Sequence, residues 1–130
     1  MTNILVIDDN GDLRAAICLA LERAGFAVTG AEDGEAGRKH LAQTTFDLVI
    51  TDIVMPGTDG LELIFSLRKE HPALPVIAIS GGGRMTADIY LKFARTGGAC
   101  HTLQKPFLLS ELVALVREAT SRTPVAGTGG

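Results

Sequence analysis

Asp8 and Asp9 stand side by side where the apolar run Ile4-Leu5-Val6-Ile7 stops, and Asp52 closes a second run, Leu48-Val49-Ile50-Thr51. Ser80 ends a third, Pro75-Val76-Ile77-Ala78-Ile79, and Lys105 lies just beyond another that closes at about Leu103. Continuous apolar runs of this kind fit strands buried on both faces, as in a parallel sheet covered by helices. Strand ends along one edge of such a sheet are neighbours in space, and open α/β sheets place their ligands there. Three carboxylates in one crevice repel one another unless something positive joins them. A hard divalent cation does this, and Mg²⁺ takes few carboxylates together with waters and phosphate oxygens. Lys105 adds a mobile positive charge suited to a phosphate, and Ser80 a hydroxyl that can reorient to donate. The set fits Mg²⁺ beside a phosphoryl group, with a carboxylate able to act as nucleophile.

The elements that must position these residues alternate in type. After Asp8-Asp9 the period changes: Leu13, Ile17 and Leu21, with Ala16 and Ala20, recur at helical spacing, and Arg14, Glu22 and Arg23 fall on the other side. Gly25 suits the end of that helix. Phe26-Ala27-Val28-Thr29 reads as a short strand, and Asp33-Gly34 starts a helix to about Gln43. Beyond Asp52, Met55-Pro56-Gly57-Thr58-Asp59-Gly60 is turn chemistry, and Asp59 and Glu62 have the spacing of a capping box for the next helix. Gly81-Gly82-Gly83 precedes a helix over about 86–95, a fifth strand runs to about Leu103, and a last helix spans about 109–121. Five strands alternating with five helices call for a doubly wound parallel α/β sheet with right-handed crossovers. Residues 1–121 are expected to form one domain, and 122–130, small and polar, a disordered tail.

Bulk properties narrow the function classes. A formal net charge of −3 without a basic cluster gives no support for direct nucleic-acid or membrane-surface binding. No apolar run approaches the ~20 residues that span a bilayer. Met1-Thr2-Asn3 leads straight into a strand without a secretory layout, so a cytoplasmic location is expected, with Cys18 and Cys100 as reduced, buried thiols. His40, His71 and His101 share no ligand spacing. The three glycines at 81–83 lack the spacing and the downstream acid of a dinucleotide fingerprint.

Four motifs in fixed order carry a family resemblance: Val6-Ile7-Asp8-Asp9-Asn10, Asp47-Leu48-Val49-Ile50-Thr51-Asp52, Met55-Pro56-Gly57-Thr58-Asp59-Gly60 and Lys105-Pro106-Phe107. Over about residues 3–121 the chain resembles the receiver domain of bacterial two-component response regulators, which include the chemotaxis regulators. The resemblance implies a flavodoxin-like sheet of strand order 2-1-3-4-5. It implies that Asp52 accepts a phosphoryl group from a histidine kinase or histidine phosphotransfer protein. Asp9 matches the direct Mg²⁺ ligand, Asp8 its neighbour acting mainly through water, and Val54 the residue whose backbone carbonyl completes the protein ligands. Lys105 matches the lysine that pairs with the acidic pocket, in a bond to Pro106 that is cis in similar proteins, and Ser80 the switch hydroxyl. Output is implied on the face made by the helix from Thr86, the fifth strand and the last helix, toward a protein the sequence does not name.

Thr102 departs from the family, which usually carries Tyr or Phe three residues before the lysine. Signalling is then expected to act mainly through the loop after Ser80 and the helix from Thr86. Neither Val54, two residues past Asp52, nor Gly82, two past Ser80, offers a side chain to place an attacking water, so slow self-dephosphorylation is expected. Two rival readings stand beside the phosphoacceptor. One is a degenerate receiver that docks partners without phosphorylation, which Thr102 favours. The other is a small phosphohydrolase using Asp52, against which Val54 stands where such enzymes carry a second carboxylate. No effector domain follows in this sequence, so output passes through another protein or the chain is a domain of a longer one.

Overall fold

Ile4, Leu5, Val6 and Ile7 are all buried, although successive residues of a strand point to opposite faces of the sheet. A strand in that position needs cover on both sides, and the computed structural model shows how it is supplied. The structure describes residues 1–55, 58–80 and 101–127, with the backbone alone at 54–55, 58–61, 80 and 122–127. In chain order the elements are β1 (Asn3–Ile7), α1 (Gly11–Arg23), β2 (Ala27–Ala31), α2 (Gly34–Gln43), β3 (Leu48–Asp52), β4 (Val54–Met55), β5 (Thr58–Asp59), α3 (Gly60–Glu70), β6 (Val76–Ser80), β7 (His101–Gln104) and α4 (Leu109–Gly127).

The main sheet has order β2-β1-β3-β6-β7, with every neighbouring pair parallel. Counting only its own strands, this is the flavodoxin-like order 2-1-3-4-5. Ile4, Val6, Leu48, Ile50, Ile77 and Ile79 face α1 and α4 through Ile17, Leu21, Leu112 and Val116. Leu5, Ile7, Val49, Val76 and Ala78 face the other way, with Leu63, Ile64 and Leu67 of α3 and the partly buried Ala36 and Leu41 of α2. The turn motif after Asp52 is flanked by a two-stranded antiparallel ladder, β4 with β5, which sequence periodicity does not announce because each strand has two residues.

Caps fix where the helices begin and end. Asn10 accepts the Leu13 N–H at 3.1 Å to open α1, and Asp33 accepts the Ala36 N–H at 2.8 Å to open α2. Gly25, with φ of +100°, ends the α1 turn in the left-handed conformation that glycine adopts without cost. Gly37 serves a close approach instead: a Cβ there would lie 2.5 Å from Ile7 Cδ1, so only glycine lets α2 sit this close to β1.

Among the described residues there are four helices; the fifth expected over 86–95, the glycines at 81–83 and Cys100 lie outside them. Cys18 is a free thiol but only half-buried, and burial, then the Glu22 charge, pushes its pKa up. The last helix does not stop at Ser121 but carries on to Gly127, into the stretch expected as tail. Nucleation, the costly step of a helix, is met by the packed turns from Leu109 to Ala119, while Pro124 in the added stretch brings no backbone donor.

Candidate functional site

β1 and β3 are hydrogen-bonded neighbours in register Ile7↔Thr51, so Asp8 and Asp52 leave the sheet side by side. Asp8 is 1% exposed and Asp52 2%, whereas Asp9, one residue further into the turn, is exposed. Carboxylate oxygens of Asp8, Asp9 and Asp52 lie within 4.8 Å of one another, the one cluster of this kind among the described residues. Lys105 arrives from β7, two strands away from β3, and reaches back across the sheet edge. Its ammonium donates to Asp52 Oδ2 at 2.7 Å and lies 3.9 Å from Asp8 Oδ2. The peptide bond between Lys105 and Pro106 is cis.

Asp8 is held by its backbone as much as by its side chain. Its N–H donates to the Ala31 carbonyl at 3.1 Å, and its Oδ1 accepts the Asn10 N–H at 2.9 Å. Its Oδ2 is buried and accepts no hydrogen bond among the described residues. Burial raises the Asp8 pKa, the Asn10 N–H and the Lys105 charge oppose that, and the Asp52 and Asp9 charges add to it; the balance is upward. Burial works against the Lys105 charge as well. The hydrogen bond to Asp52 and the attraction of Asp52, Asp8 and Asp9 outweigh it and lift Lys105 above its ordinary value. Negative charge is thus in excess here, and a buried carboxylate oxygen faces inward without a donor. Hard oxygen donors with an orphaned buried lone pair fit a small divalent cation.

Of the expected site residues whose side chains are described, Asp8, Asp9, Asp52 and Lys105 all meet in this cluster. Ser80 ends β6 beside Gln104, and Val54 opens β4, but neither side chain is described. Thr102 sits half-buried in β7 opposite Ala78. Arg14, which helical periodicity places on a polar outer side, turns inward: its Nη1 donates to the Asp8 carbonyl at 2.7 Å. Its stem lies over Gly30, where a Cβ would meet Arg14 Cδ at 3.3 Å. The only trace of this in the sequence is a cation about one turn into the helix that follows the acidic pair.

Volume and chemistry lie at opposite ends of the sheet. A recess of about 890 Å³ opens at the amino end among Thr2, Leu41, Phe46, Asp47, His71 and Pro72. Its one lining carboxylate, Asp47, already accepts the Asn3 N–H at 2.8 Å. A shallower apolar groove of about 490 Å³ runs beside the acidic cluster, lined by Leu13, Ala16, Lys105, Pro106, Phe107 and Leu109. Sites are recognised by convergent polar groups more than by size, so the carboxyl end holds the candidate site. Among the described residues no helix is long and apolar enough to cross a membrane.

The chain is 38% identical over 118 residues to the DNA-binding transcriptional regulator NtrC of Escherichia coli K12, covering 91% of this chain and 24% of that protein. It is 32% identical over 117 residues to the transcriptional regulatory protein FixJ of Bradyrhizobium diazoefficiens, covering 90% and 56%. The chain therefore spans about a quarter of one relative and little over half of the other. Among solved structures, a response regulator receiver domain protein from Clostridium thermocellum superposes with a TM-score of 0.86 at 29% identity, covering 97% of this chain and 99% of that one. The response regulator TrrA of Thermotoga maritima, solved in complex with Mg²⁺ and BeF, gives 0.80 at 29% identity, covering 92% and 99%. Residues 4–117 match the family model described as response regulator receiver domain, and it is to that family that this chain belongs.

Proposed function

We propose that the chain is a phosphoacceptor in a two-component relay. Asp52 takes a phosphoryl group from a phosphohistidine of a histidine kinase or phosphotransfer protein and thereby changes how the domain binds its output partner. The observation that carries this reading is the cluster of buried Asp8 and Asp52 with exposed Asp9, in which one lysine lies 2.7 Å from Asp52 and 3.9 Å from Asp8. Mg²⁺, held by Asp8, Asp9, Asp52 and the Val54 carbonyl, would supply charge neutralisation for the phosphoryl oxygens. The Asp52 carboxylate oxygen forms the new bond to phosphorus as the phosphorus–nitrogen bond of the donor breaks, and the imidazole leaves with its electron pair. Lys105, whose charge is favoured over its ordinary pKa, is placed to move from the carboxylate to the incoming phosphoryl oxygens. The Ser80 hydroxyl is proposed as a further donor, and the apolar groove beside Lys105 as the landing place of the phosphodonor. With Thr102 in place of an aromatic ring, output is proposed to lie on a face that includes β7, α4 and the helix expected over 86–95, and to rest on that expected helix and the segment before it.

The test is intact-mass measurement after incubation with Mg²⁺ and acetyl phosphate, with Asp52→Asn alongside. One added phosphoryl group is expected on the wild type, with none on the variant and none without Mg²⁺. Absence of an adduct from both acetyl phosphate and a panel of phosphorylated kinases would move the phosphorylation-independent docking reading, which Thr102 favours, to first place.

A further inference from the structure

We propose that Arg14 is a positioning residue for the acidic cluster, setting the peptide plane that carries Asp8 into Asp9. The inference rests on the phosphoacceptor reading, because it assigns Arg14 a part in holding the divalent cation. Asp8 has four polar groups that must be oriented. Its N–H is fixed by Ala31, its Oδ1 by Asn10, and its carbonyl by the Arg14 guanidinium at 2.7 Å. With those three tied, the buried Oδ2 is left pointing toward Lys105 and Asp52.

The Asp8 carbonyl and the Asp9 N–H belong to one rigid peptide unit, so the bond that holds the carbonyl also aims the exposed Asp9. Asp9 is exposed, so surrounding packing does little to direct its side chain. A guanidinium suits the task because its charge strengthens the bond and its planar fork resists swivelling.

Gly30 completes the device. It lies in β2 opposite Val6, and the Arg14 stem lies directly over it: a Cβ would sit a tight 3.3 Å from Cδ and in van der Waals contact with Cγ at 3.4 Å and Nε at 3.5 Å, so a larger side chain would press on the stem. Glycine at this exposed strand position keeps the channel open along which Arg14 reaches the turn. The bond can therefore be broken from either side, by shortening Arg14 or by filling position 30.

The experiment is calorimetric titration of the full chain with Mg²⁺, without phosphodonor, alongside thermal melting. Variants are Arg14→Ala, Arg14→Lys and Gly30→Val, with Arg117→Ala as a stability control. Arg117 packs its guanidinium over Phe26 and caps the α1 end at the Ala24 carbonyl, away from the cluster. Losing an outer partner of a metal site typically weakens affinity ~10-fold or more, so Arg14→Ala and Gly30→Val should each bind Mg²⁺ ~10-fold more weakly. Arg14→Lys, still able to donate once, should recover part of that loss, and Arg117→Ala should bind as the wild type does. Wild-type affinity in both Arg14→Ala and Gly30→Val would overturn the assignment, as would weakening in Arg117→Ala of equal size. If the wild type itself takes up no Mg²⁺, the phosphoacceptor reading falls and this inference with it.

Discussion

The same strands that make the apolar middle of this protein also make its acidic end, and burial has opposite consequences in the two places. Ile50 and Asp52 lie two residues apart on β3, both essentially inaccessible. At Ile50 burial removes hydrocarbon from water and stabilises the fold. At the neighbouring Asp8 burial disfavours the charged form, and the Asn10 N–H and the Lys105 charge oppose it. The difference teaches that apolar burial in the middle of the sheet makes the cost of burying Asp8 at its edge tolerable.

The largest test of this contrast is Ile50→Ala, which should lower unfolding free energy by about 3–4 kcal/mol as transfer and cavity losses add. Urea denaturation would measure it, and a loss under 1 kcal/mol would mean the middle is not the support argued here. Asp8→Asn should do the reverse in the metal-free protein, raising stability near neutral pH by about 1–2 kcal/mol while weakening Mg²⁺ binding. The sign follows from the raised pKa. Between the ordinary value of 3.8 and the raised one, the folded state binds more protons than the unfolded. Stability from this group therefore falls as pH rises through that window, and Asp8→Asn should flatten that part of the stability–pH curve. A variant less stable than wild type without Mg²⁺ would break the comparison.

The smallest effect concerns the packing of α2 on β1. Gly37→Ala gains helix propensity but drives a Cβ to 2.5 Å from Ile7 Cδ1, so a net loss of about 1 kcal/mol is expected. Ile7→Val removes Cδ1, and in the double variant the two losses should be less than additive. Strict additivity in a thermal-melt cycle would show that the contact is relieved some other way.

What could be read from the sequence was whatever its local pattern carries. Ile4-Leu5-Val6-Ile7 and Leu48-Val49-Ile50 announce strands covered on both faces, and the carboxylates that close them announce a site at one sheet edge. The α1 and α2 starts at Asn10 and Asp33, and the glycine after α1, follow from capping chemistry confined to a few residues. Acidic residues at two strand ends and a lysine past a third were enough to expect one cluster of these side chains, because parallel strands bring their ends together whatever the details of packing.

Tertiary structure decided the rest. The two-residue ladder of β4 and β5 is too short to leave a periodic signal. Arg14 belongs by periodicity to the outer side of α1, yet the angle at which that helix docks over Gly30 turns it onto the Asp8 carbonyl. Gly37 is one small residue in a polar helix until β1 is brought against it. Burial of Asp8, and with it the direction of its pKa shift, depends on cover gathered from separate parts of the chain. Residue type and spacing set what each segment can form, whereas helix docking angles and the burial of a charge depend on contacts between segments far apart in sequence, which only the folded chain defines.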